Sequence, residues 1–91
     1  MQNGLQISRF KIGTDYACLA VLHGNTVAMK LNDKIFIAHC GYVTRSTTKA
    51  INTAMQQWLA PCVVNIKRGV MLINNAVEVT GDLREVLMLN D

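Results

Sequence analysis

Apolar and polar positions change their period twice along this chain. Tyr16 to Leu22 is a short apolar run, His23-Gly24-Asn25 breaks it with turn-forming residues, and Thr26 to Leu31 resumes. In that second segment Val27, Met29 and Leu31 fall on one side and Thr26, Ala28 and Lys30 on the other, the period-two alternation of a half-buried strand with its apolar side towards the core. Asn32-Asp33 supplies residue types that tolerate a tight hairpin turn, and Lys34 to His39 returns as a third strand rich in β-formers. The first half therefore predicts a three-stranded meander. Alternation from Phe10 to Gly13 is too brief to decide whether an edge strand precedes it.

Between Cys40 and Leu59 the period lengthens to that of a helix. Ser46 or Thr47 is the expected N-cap, Ile51, Ala54, Met55, Trp58 and Leu59 recur on one side, and Lys49, Asn52, Thr53, Gln56 and Gln57 form the wet side. Pro61 disfavours helical backbone in the residue before it, so the helix should end near Leu59 or Ala60. Trp58 reads as a core anchor, because indole burial supplies much of a small core's apolar area. Cys62 to Ile66 and Val70 to Ile73 flank Lys67-Arg68-Gly69 as a hairpin with a basic tip, and Ala76 to Val79 follows the Asn74-Asn75 turn as a last short strand. Gly81 to Leu89 reads as a C-terminal helix or an apolar tail. The expectation is an α+β domain: an antiparallel sheet of about five to six short strands packed against one main amphipathic helix, in the order strands, helix, strands.

Composition narrows the class. With 91 residues, 51% of them hydrophobic and 16% charged, the chain is too apolar for disorder and of a size for a single domain over residues 1–91. No apolar run approaches the roughly 18 residues of a membrane span, and the N-terminus lacks the apolar segment of a secretory signal. A cytoplasmic location without membrane contact is the expectation. The odd count of three cysteines, Cys18, Cys40 and Cys62, in strand-like surroundings points to buried thiols in a reducing compartment.

Motifs for catalysis are weak. His39 and Cys40 are adjacent, but neighbours on a strand point to opposite faces, which argues against a nucleophile and base pair. Asp15, Asp33, Glu78, Asp82, Glu85 and Asp91 form no recognisable acid–base motif, and no phosphate-binding glycine loop is present. The His and Cys spacing does not suggest a zinc site, so neither metal nor cofactor is expected. What stands out is a hydroxyl-rich, basic loop turning into the helix. Tyr42, Thr44, Arg45, Ser46, Thr47 and Lys49 surround a helix start, whose free N–H groups and positive dipole suit an anion or a docking partner. Lys67 and Arg68 on the basic hairpin are the further candidates. The formal charge of +3 permits contact with nucleic acid or an acidic protein face without demanding either.

Three segments, Leu22 to Ala28, Asn32 to Ile37 and Gly41 to Asn52, together with a fainter match at Lys67-Arg68-Gly69-Val70, resemble a group of small phage-encoded proteins. That group carries a Tyr-His-Asn-Thr-Val-Val strand, a short hairpin, a Gly-Gly-Trp-like loop and Thr-Thr-Lys leading to Ile-Asn on a helix. This chain departs from it with Cys40 and Tyr42 in place of glycine and tryptophan, and with one extra residue between Gly41 and Thr47. The resemblance implies a phage origin and transfers no activity. It favours a non-enzymatic protein that binds and inhibits or redirects a host or anti-phage defence protein, such as a CRISPR or restriction effector. The alternative is a nucleic-acid-binding accessory protein using the same basic residues. A homodimer is the expectation if Leu83, Val86, Leu87 and Leu89 stay exposed.

Overall fold

Alternating side chains and tight turns build nearly half of the described residues into antiparallel strands. A computed structural model describes residues 4–86. Four strands run in succession, β1 (Leu5–Ile12), β2 (Asp15–Leu22), β3 (Asn25–Leu31) and β4 (Lys34–Ile37). They are followed by helix α1 (Arg45–Gln57), then β5 (Val64–Lys67), β6 (Val70–Ile73), β7 (Val77–Glu78) and β8 (Arg84–Val86). Strands β1 to β4 form a meander that β8 extends, giving a five-stranded sheet in the order β1-β2-β3-β4-β8, while β5-β6-β7 make a separate three-stranded sheet. Every pairing is antiparallel. The α+β architecture and the order strands, helix, strands are as the periodicity indicates, with eight strands in two sheets rather than about six in one.

The two-residue links hold because their residues accept left-handed backbone. Asn32 takes φ 56° between β3 and β4, and Arg68 and Gly69 take φ 55° and 79° at the β5–β6 tip. The edge strand left open by the sequence is a full eight-residue β1, paired along its length with β2. Its alternation is masked because Leu5 and Ile7 lie on one face and Phe10 and Ile12 on the other.

One core unites both sheets and the helix. Ala20, Leu22, Ala28, Ile35 and Ile37 from the inner face of the large sheet meet Ala50, Ile51, Ala54 and Met55 of α1 and Val64, Met71, Ile73 and Val79 of the smaller sheet and its exit. Ala20 and Ala28 are register partners, and with Ala50 and Ala54 one helical turn apart they are fully buried. Four methyl-sized side chains let helix and sheet backbones approach closely. The radius of gyration of 12.4 Å is near the roughly 13 Å typical of a 100-residue domain.

Close approach reverses the expected orientation of β3. Ala28 and Lys30 lie on the inner side, whereas Met29 and Leu31 point away from the helix; only Val27, beside the irregularity at Ala20/Val21, reaches the core. The helix start also differs: Thr44, with φ −133° and ψ 165°, is the N-cap rather than Ser46 or Thr47, and Thr47 N–H donates to Thr44 Oγ1 at 3.3 Å. At the other end α1 stops at Gln57, before the reach of Pro61. Leu59 N–H donates to the Gln56 carbonyl and Ala60 N–H to the Met55 carbonyl, with Leu59 left-handed at φ 56°, a Schellman closure. Beyond the helix end its spacing no longer applies, so Leu59 is 91% exposed instead of core-facing, and Trp58 is only half-buried. Arg84–Val86 forms a strand where a helix or tail was expected, and Leu87 and Leu89 lie outside the described residues.

Candidate functional site

The loop between β4 and α1 is held from several sides. His39 N–H donates to the Thr80 carbonyl at 3.0 Å, Tyr42 N–H to the His39 carbonyl at 2.8 Å, and the Cys40 thiol to the Thr26 carbonyl at 3.2 Å. Cys40 and Gly41 are both left-handed, at φ 55° and 87°, which turns the chain sharply and presents Tyr42 to solvent at 57% exposure. Arg45, Ser46 and Lys49 are exposed beside it, and the first turn of α1 holds no acidic residue to neutralise the dipole. Thr44 and Thr47 are used by the fold. Their hydroxyls lie 3.1 Å apart, and Thr47 is 2% exposed, so its side chain does not present itself to a partner. Lys67 and Arg68 are exposed on the smaller sheet, at a hairpin tip separate from this loop.

His39 and Cys40 do not form a catalytic pair. The His39 Nδ1 accepts from Gly41 N–H at 3.0 Å, while the Cys40 thiol is turned to Thr26. Burial, and secondarily the Asp82 carboxylate, push the Cys40 thiol above its ordinary value of 9.0, and burial raises Cys62 likewise. Both effects oppose a reactive thiolate at neutral pH. All three cysteines are free; Cys62 is buried, whereas Cys18 and Cys40 are only partly so. Among the described residues no three His, Cys, Asp or Glu side chains gather as metal ligands would, and no helix is long and apolar enough to cross a membrane.

Two surfaces that sequence reasoning missed follow from strand register. On the outer face of the large sheet, Ser8, Leu19, Met29, Phe36 and Glu85 form one row across all five strands, and Phe10, Ala17 and Leu31 form the next. Leu19, Val21, Met29, Leu31 and Phe36 are partly exposed and stand outside the core cluster, while Phe10 and Ile12 are exposed outright. The signal was in the sequence: strands apolar on both sides imply cover on both sides.

The inner face changes character where α1 ends. Arg9, Cys18 and Lys30 are successive register partners, with Lys11 opposite Tyr16 in the next row. The Arg9 guanidinium lies 4.7 Å from the centroid of the Tyr16 ring. Across from them Gln57, Trp58 and Leu59 form the other wall of an open groove of about 830 Å³. A smaller, mainly apolar cleft of about 490 Å³ lies between the sheets, lined by Ile37, Cys62, Val77, Val79 and Val86 among others. Comparison of the chain with protein-family models, curated proteins and solved structures finds no match in any of the three.

Proposed function

We propose that this chain is a non-enzymatic binding domain that acts by covering a surface of a protein partner. The observation that carries the reading is the outer face of the five-stranded sheet, whose Leu19, Val21, Met29, Leu31 and Phe36 belong to no core of the described residues. Leu19, Met29 and Phe36 in one row and Phe10, Ala17 and Leu31 in the next make one contiguous apolar face across β1 to β4, the kind of surface that marks an interaction site. The exposed Tyr42, Arg45 and Lys49 offer a second, polar contact suited to a partner's carboxylates. The resemblance to small phage proteins supports a host or anti-phage defence protein as the partner, in the cytoplasm of an infected cell.

A tagged pull-down from nuclease-treated lysate of the infected host tests this, with two variants run beside the native chain. Met29→Lys with Phe36→Lys alters the outer face, and Tyr42→Ala with Arg45→Glu and Lys49→Glu alters the loop. The expected result is a stoichiometric host protein retained by the native chain and lost from the folded outer-face variant, with weaker retention by the loop variant. Equal retention by all three would overturn the reading, as would light scattering showing the outer face already taken by a second copy.

A further inference from the structure

We infer that the groove between the β1–β3 end of the large sheet and the C-terminal end of α1 binds single-stranded nucleic acid, base against Tyr16 and Trp58 and phosphates against Arg9 and Lys30. This is a different site from the Tyr42–Lys49 loop and does not depend on it.

Register builds the floor. Alternation puts Arg9 and Lys11 of β1, Tyr16 of β2 and Lys30 of β3 on the same side of the sheet, beyond the alanines that α1 covers. Arg9 and Lys30 are two strands apart, roughly 10 Å, so two cations flank the cleft instead of sharing one point. The opposite wall brings Trp58, half-buried against the core and held in place as the helix C-cap. Tyr16 is 48% exposed despite its contact with Arg9. A groove of about 830 Å³ falls within the roughly 300–1,000 Å³ of small-molecule sites, ample for a nucleotide unit, and its openness lets a strand pass through.

The simpler account of these cations is that they offset the negative end of the helix dipole. That end carries roughly half an elementary charge, and its last carbonyls are already engaged by the Leu59 and Ala60 N–H groups. Asp33 is the carboxylate that lines the groove, against Arg9 and Lys30 lining it and Lys11 on the same face. The balance stays positive. An exposed tyrosine and a partly exposed tryptophan beside two cations, with a surplus of positive charge, are what sequence-tolerant binding of single strands requires: stacking for the base, charge for the backbone.

Trp58 is the chain's one tryptophan, so its fluorescence reports occupancy of this groove directly. The native chain is titrated at low salt with a twelve-residue thymidine oligonucleotide, with thymidine monophosphate, and with inorganic polyphosphate. The expected result is saturable quenching by the oligonucleotide, weakening steeply as salt rises because released counterions lose their entropic gain. Tyr16→Ala and, separately, Arg9→Gln with Lys30→Gln should each weaken it about tenfold or more, in line with the worth of a stacked base or two phosphate contacts. Lys67→Gln with Arg68→Gln, which removes the same amount of charge at the β5–β6 hairpin tip outside the groove lining, should weaken it far less than the Arg9, Lys30 pair. Comparable saturation by the monophosphate, with the same variant dependence, would support the site and assign it to a free nucleotide. No quenching, equal quenching by polyphosphate, or indifference to the groove variants would overturn the proposal. Arg9 and Tyr16 are exposed, so their substitution spares the core, and circular dichroism of each variant verifies the fold.

Discussion

At the scale of single residues, Asn52 has the largest role for which its position in the pattern gives no warning. It lies among the polar residues of α1, yet its side-chain amide donates to the Val64 carbonyl at 2.9 Å and its oxygen accepts from Val64 N–H at 2.8 Å. It thereby acts as a strand partner for the free edge of β5. Asn52→Ala leaves both backbone groups without these bonds and should cost about 2 kcal/mol, a fall in Tm of roughly 8–16 °C for a domain this size. Urea unfolding with less than half that loss would show water replacing the amide at no cost. The cysteines make a prediction of opposite visibility. The folded pKa values of Cys40 and Cys62 are raised above 9.0, so the contribution of these two thiols is fully present below about pH 9 and is lost as pH rises through the folded values. Melting curves from pH 7 to 11 should fall more steeply for the native chain than for a Cys40→Ser, Cys62→Ala variant in the alkaline half, and parallel curves would refute the burial argument.

At the scale of elements, the helix ends carry the instructive departures. Leu59 occupies the left-handed position that normally favours glycine, with its side chain almost wholly in solvent. Leu59→Gly removes the Cβ clash there, and after the larger chain entropy of glycine is subtracted should stabilise by about 0.5 kcal/mol, raising Tm by roughly 2–4 °C. A lower Tm would mean that the leucine packs on a surface that matters. The alanines make the contrary case: Ala54→Leu, at a fully buried position of the helix–sheet core, should cost about 1–3 kcal/mol by overpacking, seen as a lower urea midpoint. Hairpins and the helix were legible because turn residues and a 3.6 period are local signals. Less legible were β8, only three residues long and defined by a partner some fifty residues earlier, and the cap, where Thr44, Ser46 and Thr47 all carry the right hydroxyl. Tyr42, Arg45 and Lys49 could be grouped in advance because they are near neighbours in sequence around one helix start. Arg9, Tyr16, Lys30 and Trp58 could not, since only register and a helix end bring them to one groove.

On the scale of the whole molecule, the five-stranded sheet has two apolar faces and the described residues supply cover for one. The expectation that β3 buries Met29 and Leu31 failed for this reason: alternation within β3 alone does not say which side the helix takes, and the helix takes the side where Ala28 faces Ala20. Adjacent residues of β4 offer the sharpest test, because Ile35 is 2% exposed and in the core while Phe36 is outside it. Ile35→Ala should cost about 2–5 kcal/mol through lost contacts and a cavity. Phe36→Ser, the chemically larger change, should cost roughly 1 kcal/mol or less, while reducing the binding of a hydrophobic dye to the folded protein at neutral pH. Equal losses in urea unfolding would mean that the outer face is covered in the folded protein, by a second copy or by further chain, and the same titration repeated over a hundredfold range of protein concentration separates these, since only cover by a second copy makes the midpoint depend on concentration.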